Sequence, residues 1–520
     1  MIDRVVSAFS PERGLARAHA RALLAMSGGY NGADRSRRAL RWWDARPTSA
    51  DQATLSDLVN LRSSSRDLVR NNPLACGVIG TVTTSVVGTG LSVHPQIAAS
   101  LLGMTTDQAK AWQRGAKEWF EMWASNALWC DVSGQQSFYE QQDLVFRSAM
   151  ESGDAFALMP MMQLHKEPLI TKVQIIEADR VCNPSDKPTS EQIAAGIEID
   201  AATGRPVKCY IANKHPGSYH PGGLEYQEFE FFGAETGRRN VLHLMTRLRP
   251  GQRRGVPYLA PVIESFKQLG TYTDAEVTAA VVSSMFTVFI KKDAEEGPFP
   301  PGGAHAVAAP KTTAANEVNL SAGAMVDLAP GEDVVMANPL RPNTAFDPFV
   351  MAVLRQMGSA LELPVELVIK HFTASYSASR AAMLEAWRFF KKRRYWLASQ
   401  FCQPVYEAVI SEAVMRGYLT APGFLTDPMI RAAYCRAEWI GDAPGALNPI
   451  DEAKAAELRI AIGISTRTKE SIAFDGSNWE DNHQQQVIEE AARKRDGLEL
   501  AAPPDGAADP GGTSQNDQKP

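Results

Sequence analysis

No stretch of 18 apolar residues occurs in this 520-residue chain, so no membrane-spanning helix is expected. The opening Met1-Ile2-Asp3-Arg4-Val5-Val6 has no apolar signal-peptide core, which points to synthesis in the cytoplasm. Six cysteines (Cys76, Cys130, Cys182, Cys209, Cys402 and Cys435) form no C-x-x-C pair and read as reduced, buried thiols. There is no G-x-x-x-x-G-K-[ST], no H-E-x-x-H and no G-x-S-x-G, so nothing argues for a P-loop ATPase, a zincin or an α/β-hydrolase. No pair of Asp or Glu residues stands at a spacing that marks an acid/base couple. Catalytic residues, metal ligands and cofactors are therefore not expected. A basic excess is missing too: 53 Lys and Arg stand against 59 Asp and Glu, a net charge of −6. Phosphate neutralisation drives DNA affinity, so a single copy should bind free DNA weakly.

What is present is most distinctive between Asp347 and Leu419. Asp347 reads as an N-cap with Pro348 at the first helical position, followed by an apolar stripe of Val350, Val353, Leu354 and Met357. Pro364 stops that helix. The segment Lys370-His371-Phe372-Thr373-Ala374-Ser375-Tyr376 has no periodicity, and from Ser377 to Tyr418 a helical pattern runs almost unbroken. At 1.5 Å per residue this is a rod of roughly 60 Å, the dimension of a part that spans a large assembly. Within it lies Lys391-Lys392-Arg393-Arg394. Four successive helical residues point around the whole circumference, so they read as a solvated girdle with stems on apolar neighbours. The sharper alternative has some of them meeting phosphates or a neighbouring subunit's carboxylates.

Elsewhere the pattern is helical, then β-rich, then helical. Thr105/Gln108 and Ser137/Glu140 fit capping boxes, and Trp112, Ala116, Trp119, Phe120 and Trp123 make a core stripe. Strands are expected at Phe156–Met161, Lys172–Ile176, Gly196–Ile199, Val207–Ala212, Glu228–Phe232 and Val241–Met245, with a hairpin turn at Thr203-Gly204. His215 and His220 lack converging ligands and read as a loop. Pro257 to Ile290 is helical, weakened by Gly270. Glu295 to Ala315 is rich in Pro, Gly and Ala, with β-like runs at Ala324–Leu328 and Asp333–Met336. The tail after Leu498 reads as disordered, and residues 1–48 as an arginine-rich arm with a helix from about Pro11 to Met26.

The run Arg62-Ser63-Ser64-Ser65-Arg66-Asp67-Leu68-Val69-Arg70-Asn71-Asn72-Pro73-Leu74-Ala75 resembles the N-terminal signature of lambda-type portal proteins of tailed bacteriophages. Tyr30-Asn31-Gly32-Ala33, Arg41-Trp42-Trp43 and Val86-Val87-Gly88-Thr89-Gly90-Leu91 are similar to the same family. So are Glu151-Ser152-Gly153-Asp154-Ala155-Phe156, Ile176-Glu177-Ala178-Asp179-Arg180 and Arg253-Arg254-Gly255-Val256-Pro257-Tyr258-Leu259-Ala260-Pro261. Trp439-Ile440-Gly441 and Ile450-Asp451-Glu452-Ala453-Lys454 extend the resemblance over about residues 30 to 495, although Glu452 stands where relatives often carry proline.

The resemblance implies a mixed α+β, portal-type fold. Its parts would be an N-terminal arm (1–48), a wing domain of helices then antiparallel β (49–255), a stem helix (256–289) and a small α/β clip (290–345). After these would come a second stem helix (346–362), a tunnel loop (363–376), a long helix (377–418), a C-terminal crown region (419–497) and a disordered tail (498–520). It also implies a non-enzymatic, homo-oligomeric ring, a dodecamer, at one capsid vertex of the virion, made in the host bacterial cytoplasm. Double-stranded DNA would pass through it non-specifically, packaged by the terminase large subunit and later ejected. Major capsid and scaffold proteins and head–tail joining proteins would be further partners, with no membrane. Lys370, His371, Phe372 and Tyr376 would form the tunnel loop, and Lys391, Lys392, Arg393 and Arg394 would be subunit-contact or channel cations. The resemblance also raises trimming of the arm during maturation. A helical adaptor or scaffold protein without a DNA conduit is the alternative.

Overall fold

The computed structural model describes residues 37–164, 166–219, 223–284, 345–372, 375–445 and 448–498, positions 11, 12, 15, 16 and 19, and the backbone of two strands, Val288–Lys292 and Glu332–Met336. The arm's helix is present at those five positions. His220, the run Ala324–Leu328 and the tail from 499 lie outside the described residues. Met1–Ala53 and Thr54–Pro520 are separate units, and every element that positions the site belongs to the second.

Helices α1 (Leu58–Asn71) and α2 (Pro73–Val86) meet at Asn72, whose side chain accepts from the Leu74 and Ala75 N–H groups while Pro73 opens α2. The Asn72 amide also donates to the Phe266 carbonyl (3.4 Å), and a Cβ on Gly270 would come within 3.4 Å of it. Gly270 lies inside helix α5 (Ile263–Ser284), and this contact alone would admit a side chain there. Ala75, Val78, Ile79, Val82 and Val86 make α2 a buried rod. Cys76 lies exposed on its outer face, a correction to the expectation that all six thiols are buried.

Both expected capping boxes form, opening α3 (Thr106–Ser125) and α4 (Phe138–Ser152). The tryptophan stripe is core: Phe120 meets Phe138, Tyr406 and Trp439 edge-on at 5.3–5.8 Å. Strand β1 (Ser92–Pro95) pairs antiparallel with the distant β11 (Ala437–Ile440). In the β-rich part, β2 (Asp154–Leu158) lies between β3 (Gln174–Ile176) and β8 (Val241–Met245). A second sheet runs β4 (Ile193–Ala194), β5 (Ile197–Ile199), β6 (Pro206–Ala212), β7 (Tyr226–Glu230), all antiparallel. The turn at Thr203-Gly204 joins β5 to β6, with Gly204 at φ +68° and its N–H on the Asp200 carbonyl.

Beyond α5 the chain is strand from Val288, where helix was expected to reach Ile290, and β9 (Val288–Lys292) pairs antiparallel with β10 (Glu332–Met336). Helix α6 spans Phe346–Ala360 with Ala345 at its N-cap, so Asp347 sits in the first turn and is not the cap. A short α7 (Val365–Ile369) precedes α8 (Tyr376–Leu397). Then come a π turn over Ala398–Cys402, α9 (Gln403–Met415) and the short α10 (Pro428–Tyr434). Pro404 has no N–H for the Gln400 carbonyl, and the widened turn lets the rod continue past it. Among the described residues, no helix is long and apolar enough to cross a membrane.

Four of the sequence motifs converge on Asp154, which has no solvent exposure. Arg62 reaches its Oδ1 at 2.6 Å, and Arg254 reaches Oδ2 at 2.6 Å and Oδ1 at 3.2 Å. The Gly255 N–H and His243 Nε2 each stand 3.2 Å from Oδ2. Arg254 gives its other donors to the Ala178, Val181 and Ala195 carbonyls, and Arg62 gives Nε to the Ser152 carbonyl. Glycine is required at this hub: Gly153 has φ +91°, and a Cβ on Gly255 would fall 1.9 Å from the Gly153 carbonyl oxygen.

Burial alone would raise the Asp154 carboxyl, but the Arg254 and Arg62 guanidiniums outweigh it and hold the group well below the usual carboxylate range. Its stabilisation is thus complete above the unfolded pKa of about 4 and is lost as pH falls further. Burial holds His243 and His94 below the ordinary histidine value, so stability also declines as pH drops below about 6.5, where the unfolded chain takes up protons first. Asp154→Asn leaves the buried Arg254 without a counter-ion and Arg62 with only Asp179, and is expected to cost about 3–5 kcal/mol in urea unfolding of the single subunit. It should also flatten the stability loss below pH 4. An unchanged urea midpoint would contradict this account of the hub.

Candidate functional site

The rod gets its fixed position from its inner face. Ala386, Phe389, Phe390, Leu397, Phe401 and Cys402 are buried along it, and Phe401 stacks on Phe138 at 5.3 Å. On α9, the buried Glu412 carboxylate accepts from the Ile170 and Thr171 N–H groups at 2.7 and 2.8 Å, tying the rod's far end to the β-rich part.

The four-cation run divides in two. Arg394 turns inward and donates to the Ser85 and Val86 carbonyls at 3.1 Å, and to the Asp442 carbonyl at 2.9 Å. It thereby places a cation on the carbonyl end of α2, where the helix dipole favours one. Arg393 also turns inward, with Nη1 on Thr246 Oγ1 at 2.9 Å and its guanidinium 5.1 Å from the Phe389 ring centroid. Burial lowers both guanidinium pKa values. The solvated-girdle expectation therefore fails for Arg393 and Arg394, because loose helix ends and aromatic faces lie on that side of the rod. Lys391 and Lys392 remain outside, with Lys392 at 3.7 Å from Glu362. Together with Leu384, Arg388 and Tyr395 they form one exposed stripe at helical spacing.

The break before the rod is bounded by two residues in the left-handed region, Glu362 and Lys370, both at φ +54°. A side chain other than glycine at such φ is uncommon and implies that the surroundings enforce it. The His371 N–H donates to the Glu366 carbonyl at 3.1 Å, closing α7. Lys370, His371 and Phe372 are all exposed, Phe372 by 49%. Tyr376 is already the first residue of α8, so the expected loop loses its last member to the helix. The Lys370–Phe372 group and the Lys391/Lys392 pair thus lie on separate parts of the break and the rod.

His215, read in the sequence as lacking partners, in fact stands 3.4 Å from Asp179 and 3.8 Å from Glu177. The Gly217 N–H donates to His215 Nδ1, so the neutral ring carries its proton on Nε2, facing the carboxylates as a donor. Arg66 already bridges Asp179 and Glu177. The trio is an ion-pair cluster extending the Asp154 hub. Sequence spacing shows only that Glu177 and Asp179 are neighbours; His215 reaches them from a distant loop after β6.

Comparison with known proteins agrees with the motif pattern. A family model described as "phage portal protein, lambda family" matches residues 36–394. The chain is 24% identical over 484 residues to portal protein B of Escherichia phage lambda, covering 89% of each chain. It is also 24% identical over 494 residues to the portal protein of Escherichia phage N15, covering 91% of this chain and 90% of that one. Among solved structures, chains from a gene transfer agent virion and from its neck computed with C12 symmetry align with TM-scores of 0.42 and 0.43. They are 12% and 13% identical, and cover 84% of this chain and 95% and 98% of their own. The family match begins just before Arg37 and ends on Arg394, spanning the Asp154 hub, the break and the cation run: this chain belongs to the lambda family of phage portal proteins.

Proposed function

We propose that the chain assembles into a closed homo-oligomeric ring, a dodecamer by family resemblance, at one capsid vertex of the virion. The terminase large subunit packages double-stranded DNA through it, and the DNA later leaves by the same route. The observation that carries this reading is the break at Lys370–Phe372. A cation, an imidazole and an aromatic ring are presented together, exposed, at the end of a rod whose inner face is fixed in the core. In the ring this group, with Tyr376, is the tunnel loop. Contacts by one loop are weak and easily broken, while repetition around a ring lets them add. A net charge of −6 per copy suits a conduit, where tight phosphate binding would stall movement.

The remaining parts follow the same reading. Helices α5 and α6 are the stem, residues 290–345 with the β9–β10 pair the clip that docks terminase and later the head–tail joining proteins, and 419–497 the crown. Residues 49–255 are the wing and 1–48 the arm that meets major capsid and scaffold proteins. The chain supplies no catalysis and holds no cofactor, because the work of translocation comes from ATP hydrolysis by the motor. It is made in the host cytoplasm and incorporated into the virion.

Negative-stain microscopy and light scattering test the assembly: rings of several hundred kilodaltons with a central hole are expected, and a discrete monomer without a hole would favour the adaptor class. Replacing Lys370→Gly, His371→Ser and Phe372→Ser should leave ring assembly intact, since glycine accepts φ +54° without strain. Packaged-genome yield should fall at least tenfold. Full-length packaging and normal infectivity would return the segment to an ordinary connector.

The cation run is tested in halves. Lys391→Glu with Lys392→Glu touches exposed side chains and should leave subunit unfolding unchanged while making ring assembly more sensitive to salt. Arg394→Ala strips charged donors from three carbonyls and should cost about 2–3 kcal/mol in urea unfolding. The reverse assignment, with stability lost in the lysine pair and kept in Arg394→Ala, would contradict the inward and outward division.

A further inference from the structure

The three C-terminal helices, α11 (Pro449–Ala461), α12 (Arg467–Phe474) and α13 (Trp479–Arg495), contain no buried residue. Yet they are not polar. Ile450 and Leu458 on α11 and Ile462 just after it are 68%, 62% and 59% exposed, and Val487 and Ile488 on α13 are 56% and 62% exposed. Apolar surface on this scale, uncovered within its own chain, marks a contact with another molecule. Two features are complementary. Between α11 and α12 runs an open groove of about 580 Å³ lined by Ala453, Ala456, Ile460, Ala461 and Phe474. Arg459 holds it open by reaching both carboxylate oxygens of Glu470, at 2.9 and 2.6 Å. On α13, Val487, Ile488, Ala491 and Ala492 form a stripe at helical spacing.

Resting on the ring reading above, we propose that the α13 stripe of one copy lies in the α11–α12 groove of the next copy around the ring. Charge fixes the direction. Helix α13 ends in Arg493, Lys494 and Arg495, whereas the groove helix starts with Asp451, Glu452 and, one turn on, Glu457. Antiparallel packing sets these charges opposite each other and also aligns the helix dipoles favourably. It places Ala491 and Ala492 against Ala453 and Ala456, where small side chains permit close approach, and the larger Val487 and Ile488 against Ile460 and Phe474. The stripe with its basic end, Val487 to Arg495, extends about 13 Å and so fits along α11, which extends roughly 20 Å.

A copy's own stripe is directed elsewhere. The start of α13 is pinned to α3 by Lys110–Glu480 (3.2 Å) and Lys117–Asp481 (2.6 Å), and to β1 by Asn478 on His94 (3.2 Å). Among the described residues, no side chain from His483 to Arg495 bonds to another element. One module therefore carries a groove and a stripe at different places, the arrangement of a head-to-tail interface that closes into a ring.

Cross-linking of purified full-length rings tests this. In a Cys76→Ser background, Ala456→Cys combined with Ala491→Cys should give, on mild oxidation, a reducible ladder of linked copies on denaturing gels. Co-assembly of the two single-cysteine variants should give dimers, and neither variant alone should do so. Rings that are visible by microscopy but yield no ladder, or only an internally linked monomer, overturn the proposal and leave the ring reading standing. No rings from the unsubstituted protein overturn both. As a second measure, Val487→Asp with Ile488→Asp alters exposed positions only, so circular dichroism should not change. The concentration at which rings dissociate should rise at least tenfold, and an unchanged value overturns the assignment.

Discussion

A carboxylate sealed from water, with two guanidiniums upon it, is the constraint on which the packing of α1, the β-rich part and the start of α5 depends. Asp154 opens β2, Arg62 comes from α1, His243 from β8, and Arg254 from the segment that leads into α5. Breaking such a buried cluster is costly, yet a hydrophobic replacement of the whole cluster can be neutral, so its value lies in what geometry it selects. Here it selects one register: each guanidinium donor is assigned to a particular carbonyl or carboxylate oxygen, and sliding any of the four segments by a residue would orphan several donors at once. The contact of Gly153 with Gly255 adds a steric condition to the electrostatic one. From this point the chain reaches Tyr258, whose hydroxyl bonds to the Leu361 carbonyl at the end of α6. The hub, the start of α5 and the end of α6 are thus one connected structure.

The rod is fixed by different means. Arg394 binds it to the carbonyl end of α2, and Glu412 binds its far end to the backbone at Ile170 and Thr171. Both are single side chains that satisfy backbone groups lying outside regular pairing. Such groups would otherwise carry a desolvation cost, so the side chain and the loop it serves must persist together. The π turn before Pro404 belongs to the same solution. A straight α-helix would leave the Gln400 carbonyl clashing with the proline ring, and the wider turn keeps Phe401 and Cys402, which lie within it, in the core.

Local signals in the sequence were sufficient where the physics is local. Capping boxes at Thr105 and Ser137, the turn at Thr203-Gly204 and the strand Val241–Met245 depend on residues a few positions apart, and each is found where expected. Signals failed where partners are distant. The four-residue β1 has too few positions for a period-2 pattern, and its mate β11 lies more than 300 residues away. The sequence treats Arg393 and Arg394 as equivalent to Lys391 and Lys392, because the carbonyls of α2 and the Asp442 turn, and the Thr246 hydroxyl just after β8, that draw two of them inward are distant in the chain. Of the candidate loop, Lys370, His371 and Phe372 were legible as a break in periodicity. The left-handed turn at Lys370 was not, because lysine carries no composition cue for positive φ. The Asp154 hub was present in the sequence only as glycines and charges inside four motifs, with nothing to say that they meet.

These distinctions bear on how DNA would meet the proposed ring. Affinity for a duplex scales with the number of cations able to approach phosphates, and each neutralised phosphate steepens the dependence on salt. Arg62, Arg66, Arg254, Arg393 and Arg394 are all engaged with internal carboxylates, carbonyls or aromatic faces, so none of them is free to approach a phosphate. What the break and the rod leave exposed is Lys370, Arg380, Arg388, Lys391 and Lys392, with Arg380 lying 3.7 Å from Glu452. Arg388 lies 3.0 Å from Glu385 and Lys392 lies 3.7 Å from Glu362, so each is already partly balanced by a carboxylate. A duplex would therefore encounter a few partly neutralised cations per copy, and no continuous basic wall. Weak, evenly repeated attraction of that kind leaves a threaded DNA free to move, because releasing one phosphate at one copy is offset by engaging an equivalent one at the next.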